Sequence, residues 1–353
     1  MIDKSIQIGA RRIGQASPCY IIAELSANHG NDFDLAAQTI QAMKEAGADA
    51  VKVQTYTAET ITLNCDRDPF VVHGGTLWDG RTLYELYKEA SLPWEWQPKL
   101  QKIAQDLGMD FFSSPFDSTA VDFLETLNVP IHKVASFELV DIPLLLKIAS
   151  TRKPIIMSIG MAALEEVEEA MTTLREANSG PIVMLKCTSA YPADPAEMNL
   201  RTMLDMAQRF DVPVGLSDHT MGYTVPVAAV ALGACVIEKH FVLSRSQPGP
   251  DSSFSMEPQE FREMVAAIRI VEQALGKVSY EPSPKDLKMR AFRRSLFIAA
   301  DILAGETFTE KNLRCVRPAN GLHSRHLHEL IGKKAATNLK FGTPLQWEHV
   351  AQD

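Results

Sequence analysis

The chain has 353 residues, of which 46% are hydrophobic and 22% charged, a composition typical of an ordinary soluble globular protein. Its net charge of −9 argues against nucleic acid as a partner, and no apolar run is long enough to cross a bilayer. The N-terminal sequence lacks the apolar stretch of a secretory signal, and the five scattered cysteines form no CxxC pair. We therefore expect a protein of the reducing cytoplasm.

A repeated unit follows a short β ribbon that the sequence predicts for residues 1–17. In each unit an apolar run ends in polar or ionisable residues and is followed by a helical pattern. Eight such units fit into residues 18–276, and this count favours a (β/α)8 barrel over the competing doubly wound open sheet. The predicted strands are YIIAE, AVKVQ, DFFSSPFD, HKVAS, PIIMSIG, PIVMLKCTSAYP, VPVGLSDHT and ACVIEKH.

The pattern changes after Gly276. Residues 277–294 contain two prolines and several charges, and we interpret them as a linker. In residues 295–353, short apolar runs alternate with glycine turns, which predicts a small, mostly β domain. A domain of this size buries a thin core and often docks on another surface.

Two histidines end the last two predicted strands of the barrel. His219 follows GLSD, and His240 follows VIEK. The carboxyl ends of parallel strands open onto the ligand crevice, so both imidazoles could point into one cavity. Neutral imidazole is the commonest metal ligand, and the pair is therefore a candidate site for a divalent ion. Two unrelated loop histidines are the alternative interpretation.

Lysines stand inside otherwise apolar strands. A single buried lysine is usually paired to a neighbouring carboxylate, because an unpaired one is costly. Four of them, with serines at neighbouring strand ends, predict an anion site, and Glu24 at the end of the first strand adds an acid or base. Anion, metal and carboxylate together suggest carbon–carbon or phosphate chemistry on a polar metabolite. The lysines are Lys52, Lys133, Lys186 and Lys239.

An ordered set of motifs gives a more specific indication. AELSANHG, VKVQTY, KVAS, MSIGM, CTSAYP, GLSDHT, EKHF and PGPDSSFS, followed by RPANGL, resemble the sialic acid synthase family over essentially the whole chain. Residues 76–96 and 249–258 look most like the pseudaminic acid synthases of that family. N-acetylneuraminate and legionaminate synthases usually carry other residues there.

The resemblance implies a (β/α)8 barrel followed by a C-terminal antifreeze-like (SAF) domain, in a domain-swapped homodimer. It also implies a transferase reaction that joins phosphoenolpyruvate, through its C3, to the aldehyde of 2,4-diacetamido-2,4,6-trideoxy-L-altrose. Water adds at C2, and phosphate leaves by C–O cleavage. Manganese is the expected metal, with magnesium or cobalt as alternatives. The product is expected to decorate flagellin or a surface polysaccharide in a bacterium.

The same resemblance carries site residues over to this chain. His219 and His240 match the metal ligands, and Glu24 and Asp251 match carboxylates near the metal and the sugar. Arg317, in RPANG, matches an arginine that reaches into the other subunit's site. The expected substrate-binding set combines motif matches with residues at strand ends. It comprises Lys52, Lys133, Ser136, Glu138, Ser158, Lys186, Ser189, Tyr191 and Ser217.

Two positions depart from the family pattern. Neuraminate synthases usually have HCTNAYP where this chain has KCTSAYP, so Lys186 and Ser189 replace a histidine and an asparagine. The replacement keeps a group suited to an anion and weakens the N-acetylneuraminate interpretation. Three alternatives stay open: a synthase acting on N-acetylmannosamine or the legionaminate precursor, another phosphoenolpyruvate aldol-type synthase, and a carbohydrate- or ice-binding module without catalysis.

Overall fold

The computed structural model describes residues 5–9, 11–14, 16–73, 75 and 78–352, which fall into two compact units, Met1–Gly276 and Lys277–Asp353. At the start of the first unit, β1 (Ser5–Ile8) and β2 (Arg11–Gly14) pair antiparallel within the stretch predicted as a ribbon. Some residues of the predicted segments lie outside the described residues. They are 1–4, 10 and 15 of the ribbon, 76 and 77 of the segment 76–96, and 353 of the last domain.

Eight parallel strands follow the ribbon and close into a barrel. They are β3 (Tyr20–Glu24), β4 (Ala50–Thr55), β5 (Asp110–Pro115), β6 (His132–Val134), β7 (Ile155–Ser158), β8 (Ile182–Cys187), β9 (Val214–Asp218) and β10 (Val236–His240). Each strand pairs with the next along the chain, and β10 pairs with β3 to complete the ring. The closed ring confirms the predicted (β/α)8 fold and rules out the open sheet.

Helices connect the strands and bury one apolar face each. In the first of them Ala36, Ile40 and Met43 recur at helical spacing and are buried, and Asp32 caps the N-terminus. Among the described residues, no helix is long and apolar enough to cross a membrane. The helices of this unit are α1 (Phe33–Glu45), α2 (Ala58–Ile61), α3 (Leu83–Ala90), α4 (Gln97–Asp106), α5 (Ser118–Thr126), α6 (Ile142–Ser150), α7 (Leu164–Glu176), α8 (Thr202–Arg209), α9 (Thr224–Ala231) and α10 (Pro258–Leu275).

Alternate residues of each barrel strand face opposite sides, as the pleat requires. Val183 and Leu185 of β8 belong to the cluster that fills the barrel interior, where Ile8 and Ile13 of the ribbon join them. Met184, between them, packs in the larger cluster under the helices. At the carboxyl end of a strand, neighbouring residues therefore face either the interior of the barrel or the surrounding helices.

The second unit has a separate small core. Its first element, α11 (Pro284–Met289), lies in the stretch interpreted as a linker, and Ser283 caps it by accepting the Asp286 N–H. Antiparallel strands β11 (Ser295–Ile298) and β12 (Leu313–Val316) follow, and then the single turn of α12 (Leu327–Leu330). Leu296, Phe308 and Leu345 are fully buried in this core.

Candidate active site

A cavity of about 550 Å³ opens at the carboxyl ends of the barrel strands, where (β/α)8 enzymes place their active sites. Its wall combines strand-end residues with side chains of the connections that follow the strands. Most of the residues predicted for the site meet there. Those that line it are Lys52, Lys133, Ser136, Glu138, Ser158, Tyr191, Ser217, His219, His240 and Asp251.

Lys52 stands between two buried carboxyl groups at the floor of this cavity. Its Nζ lies 2.7 Å from Glu24 Oε2 and 3.4 Å from Glu238 Oε1. Ser217 Oγ donates a hydrogen bond to Glu238 Oε1 at 2.9 Å, and Gln54 Nε2 donates to Glu24 Oε1 at 3.2 Å. The lysine is thereby held at a fixed position with its charge directed at the cavity.

The two carboxyl groups that share Lys52 titrate differently. Burial raises the pKa of Glu24 to about 7, against the lowering effect of Lys52. Burial also acts on Glu238, but Lys52 and Lys133 together hold the pKa of that carboxyl below its usual range. Near neutral pH, Glu238 is therefore ionised while Glu24 is partly protonated.

Lys133 reaches the floor from β6 and contacts uncharged groups. Its Nζ donates to Ser158 Oγ and to the Val134 carbonyl, both at 2.8 Å. Burial lowers the pKa of this lysine, because the ammonium form is less well solvated there than in water. Because the hydrogen-bond partners of Lys133 are uncharged, an anionic ligand in the cavity would supply the counter-charge for its ammonium group.

The two predicted metal ligands face one another on the other side of the cavity. The ring centroids of His219 and His240 are 5.3 Å apart. The Nδ1–H of His219 donates to the Thr188 carbonyl at 2.9 Å, which leaves Nε2 with the free lone pair. His240 Nδ1 is buried without a hydrogen-bond partner among the described residues, and it lies 3.8 Å from Asp251 Oδ2.

This donor set fits a divalent cation. Burial holds the pKa of His240 well below its usual range, so the ring is in the neutral form that binds metals. The described residues contain no preformed group of three or more His, Cys, Asp or Glu side chains placed to hold an ion. His219 and His240 would thus fill only part of the coordination sphere, as in catalytic sites that keep positions for water or substrate.

Aromatic side chains fix the orientation of the two imidazoles. The Tyr191 ring lies 4.3 Å from the His219 ring, centroid to centroid, and the Phe254 ring lies 5.2 Å from that of His240. Tyr191 and Phe254 also contact one another at 5.1 Å. Because packed rings lose little rotamer freedom on binding, the histidine pair is already ordered for a ligand.

Glu138 presents a carboxyl group without a partner to the cavity. Its Oε2 is buried and has no hydrogen-bond partner in the described part of the chain. Burial raises the pKa of this group to about 7, although nearby Lys133 lowers it. A buried polar atom left unpaired is costly, and a hydroxyl or amide of a ligand would satisfy it.

Three of the site residues predicted in the barrel unit do not line the cavity. Glu24 is fully buried with its Oε2 2.7 Å from Lys52 Nζ, and its role as a catalytic carboxylate stays a prediction. Lys186 leaves β8 on the opposite side from the cavity-facing Cys187, and its Nζ donates to the Cys187 carbonyl at 2.6 Å. Ser189 Oγ lies 4.0 Å from the Sγ of the cavity-lining Cys187, and together with Ser136 it fills the space that a side chain at Gly160 would need.

Lys239 and Arg317 are the remaining charged residues that the sequence analysis selected. Lys239 alternates with Glu238 and His240, so it faces the helices, where its Nζ lies 2.5 Å from Asp218 Oδ2 and also contacts the Thr220 carbonyl. It therefore does not contribute to the anion site. Arg317 directly follows β12 in the second unit, and its predicted contact with a partner subunit's site remains a prediction.

The structure adds residues that the sequence analysis did not select. Glu238 and Cys187 line the cavity, and so does one face of α3. A signal for Glu238 was present, because it stands two residues before His240 and must share its face of β10. The segment 76–96, which contains α3, was singled out by resemblance, but its contacts with the cavity depend on how a long connection folds over the barrel.

Comparison with known proteins identifies the family of the chain. The sequence profile of the NeuB family matches residues 39–280. The chain belongs to the NeuB family. The SAF domain profile matches residues 293–351, and the predicted sialic acid synthase resemblance is thereby confirmed.

Relatives in the NeuB family extend over nearly the whole chain. The pseudaminic acid synthase of Helicobacter pylori is 48% identical over 334 residues, which cover 94% of this chain and 98% of that protein. The N,N'-diacetyllegionaminic acid synthase of Legionella pneumophila is 39% identical and covers 97% of each chain. The crystal structure of an N-acetylneuraminic acid synthetase from Leptospira borgpetersenii in complex with citrate superposes with a TM-score of 0.72 at 30% identity, covering 81% of this chain and 95% of that one.

Proposed function

We propose that this NeuB family member is a pseudaminic acid synthase. It condenses phosphoenolpyruvate and water with 2,4-diacetamido-2,4,6-trideoxy-L-altrose and releases phosphate and pseudaminate. One observation carries the reaction class: a single cavity combines the buried ammonium groups of Lys52 and Lys133 with the histidine pair. The choice of sugar is supported by the 48% identity to the Helicobacter pylori enzyme of that name.

The lysine end of the cavity binds the anionic substrate. Phosphoenolpyruvate carries a phosphate and a carboxylate, and ammonium and hydroxyl groups are suitable donors to both. Lys133 and Ser158 are already hydrogen-bonded to one another, which fixes the pair before the anion arrives. The donors that line this end are Lys52, Lys133, Ser136, Ser158 and Ser217.

The histidine end receives the aldehyde of the sugar. His219 and His240 would hold a divalent cation, with manganese the first candidate and magnesium or cobalt as alternatives, and Asp251 lies beside His240. When bound, such an ion supplies Lewis-acid polarisation of a carbonyl oxygen. The chain itself contributes the two imidazoles, the aromatic contacts that orient them and the side chain of Asp251.

The carbon–carbon bond forms between C3 of phosphoenolpyruvate and the aldehyde carbon, and the C–O bond to phosphate breaks after water adds at C2. Glu24 keeps Lys52 in place and, with its pKa near 7, can hold a proton close to the reacting centre. Glu138 offers the unpaired Oε2 to a hydroxyl or amide of the sugar. Lys186 does not line the cavity and is not assigned a direct contact with the anion.

The proposal includes the assembly and the cellular context. The enzyme works as a domain-swapped homodimer in which Arg317 contacts the sugar in the partner subunit's site. It acts in the cytoplasm, and its product serves flagellin glycosylation. Support for these points comes from the family resemblance, since neither a partner chain nor a product acceptor is part of the geometry described above.

Phosphate release tests the proposed reaction. Purified protein is incubated with phosphoenolpyruvate, Mn2+ and one of three sugars: the L-altrose derivative, N-acetylmannosamine or the legionaminate precursor. We expect turnover with the L-altrose derivative alone and its loss on addition of a chelator. Phosphoenolpyruvate labelled with 18O at the bridging position should deliver the label to phosphate, because the C–O bond breaks.

The other results would correct the proposal at different levels. Turnover with N-acetylmannosamine alone would keep the reaction and change the sugar. Release of unlabelled phosphate would rule out C–O cleavage. Absence of phosphate release with all three sugars, in a protein shown by circular dichroism to be folded, would contradict the proposed function itself.

A further inference from the structure

One side of the cavity is apolar. Ile61, Leu83, Leu86, Tyr87 and Phe116 line it, and we refer to these five residues as the apolar wall. Leu83, Leu86 and Tyr87 belong to α3, and their spacing of three and four residues places them on one face of that helix. A single helical face therefore forms most of the wall.

Contacts behind the apolar wall hold it in place without a ligand. The Tyr84 hydroxyl donates to Glu59 Oε1 at 2.6 Å, which ties α3 to α2. The ring of Tyr56 packs edge-on against Tyr87 at 5.8 Å and against Phe116 at 5.0 Å, centroid to centroid. The wall is therefore preformed, as a surface that selects among ligands must be.

The apolar wall and the histidine pair occupy separate parts of the barrel mouth. Its residues come from the connections that follow β4 and β5, whereas His219 and His240 end β9 and β10. In the ring of eight strands, β4 is two strands from β10 and three from β9, and β5 is three and four strands away, so the wall and the histidines stand at separate positions around the cavity. A ligand that reaches the histidines with one end can contact the wall with the other.

We infer that the apolar wall is the specificity element that receives the C6 methyl group of a 6-deoxy sugar. The inference rests on the proposed function, which places the aldehyde of the open-chain sugar at the histidine pair. C6 is then the end of the chain furthest from the histidines. The wall thus distinguishes a methyl group at C6 from the hydroxymethyl group of ordinary hexoses.

The chemistry of the side chains gives the direction of this preference. Ile61, Leu83 and Leu86 carry no atom that can hydrogen-bond a hydroxyl group, and burying an unpaired hydroxyl is unfavourable. A methyl group in the same place gains from leaving water. Pockets that discriminate by one such group typically reach selectivities of roughly 10- to 200-fold in kcat/KM.

The test compares two sugars that differ only at C6. We measure kcat/KM for 2,4-diacetamido-2,4,6-trideoxy-L-altrose and for its 6-hydroxy analogue in the wild type and in Leu83→Asn, a nearly isosteric change at a half-buried position. Leu86→Asn is the second variant, because Leu86 is only 8% exposed and its replacement is more disruptive. Leu63→Asn, in the same connection but 66% exposed, is the control.

We expect the wild type to prefer the 6-deoxy sugar by at least about 10-fold and Leu83→Asn to reduce that ratio about 10-fold, with Leu63→Asn unchanged. An unchanged ratio in both wall variants, with circular dichroism showing them folded, would overturn the inference while the wild-type turnover upheld the proposed function. A wild type that releases no phosphate with either sugar would overturn both. A wild type that prefers the 6-hydroxy sugar would overturn the inference alone.

Discussion

Four lysines in apolar strands have opposite roles on the two faces of the barrel wall. Lys52 and Lys133 face the interior and line the cavity. Lys52 Nζ lies 2.7 Å from Glu24 Oε2. Lys239 faces the helices and lies 2.5 Å from Asp218, in a pair that is almost completely buried. Lys186 also lies outside the cavity. Chemically identical side chains thus belong to the site or to the scaffold according to the face of the strand.

Alternation along a strand therefore decides function more sharply than residue type. His240 and Lys239 are neighbours in β10. His240 is nevertheless a candidate metal ligand, whereas Lys239 forms a structural ion pair with Asp218. Substitutions at these two positions should therefore affect different properties. The inner residue should control activity and the outer one stability.

His240→Ala should have the largest effect on activity. Mutation of a residue that only hydrogen-bonds a metal ligand typically costs about 10- to 100-fold in metal affinity or activity. Loss of a ligand itself should therefore lower kcat/KM by roughly 10³-fold or more. Stability should change little, because His240 Nδ1 has no hydrogen-bond partner to lose among the described residues. Phosphate release and urea unfolding measure the two effects. His73→Ala, at a histidine whose side chain is 61% exposed, is the matched control.

Near-wild-type turnover by folded His240→Ala, with unchanged dependence on the metal, would remove His240 from the ligand set. A variant that loses activity only because it unfolds would instead place His240 in the scaffold. Either result would break the distinction between the two faces of β10.

Lys239→Met should have the opposite profile. It leaves the fully buried carboxylate of Asp218 without its counter-charge, which typically costs about 3–5 kcal/mol of unfolding free energy. The kcat/KM of the remaining folded protein should stay close to that of the wild type. The double variant Lys239→Met/Asp218→Asn should recover part of the lost stability. An active-site defect without destabilisation would contradict the assignment of Lys239 to the scaffold.

Glu138→Gln should reveal a smaller, pH-dependent effect. The pKa of Glu138 is raised to about 7 by burial, above the ~4.3 of an exposed glutamic acid. The folded state then binds more protons than the unfolded state between these values, so this group lowers stability as the pH rises through that window. Glu138→Gln should therefore be more stable than the wild type by roughly 1–3 kcal/mol at pH 8 and no more stable near pH 4.

Urea unfolding at both pH values measures this difference, with Glu165→Gln, at an exposed position, as the control. A stability gain of equal size at pH 4 and pH 8 would show that the effect does not come from the ionisation of Glu138. That result would contradict the raised pKa assigned to the buried, unpaired carboxyl group of Glu138.

The sequence was sufficient for the fold, because each unit of the barrel carries its own signal. An apolar run such as YIIAE, followed by a helical pattern, identifies a strand and its helix without knowledge of the other units. The count of eight strands then favoured a sheet that closes into a barrel, and β10 pairs with β3 as such a barrel requires. The short α11 was missed because two prolines and several charges dominate the composition of that stretch.

The site could be predicted only in part, because a residue belongs to it only if its side chain lies at the right depth in the barrel and faces the cavity. His219 and His240 were accessible to sequence reasoning, since the ends of successive parallel strands converge. Glu24 was selected as a possible base or sugar ligand, but its complete burial beside Lys52 could not be predicted from the sequence. The segment 76–96, which contains α3, was singled out by its resemblance, but its contacts with the cavity could not be predicted, because no local pattern specifies the path of the long connection between β4 and β5.

Phosphoenolpyruvate binding to two lysine variants tests the distinction between the faces most directly. In calorimetric titrations with Mn2+ present, Lys133→Met should weaken binding by roughly 10- to 100-fold, the value of a charge-assisted hydrogen bond. Lys186→Met, which removes a lysine that does not line the cavity, should bind phosphoenolpyruvate like the wild type. Equal weakening by both variants, or weakening by Lys186→Met alone, would contradict the account.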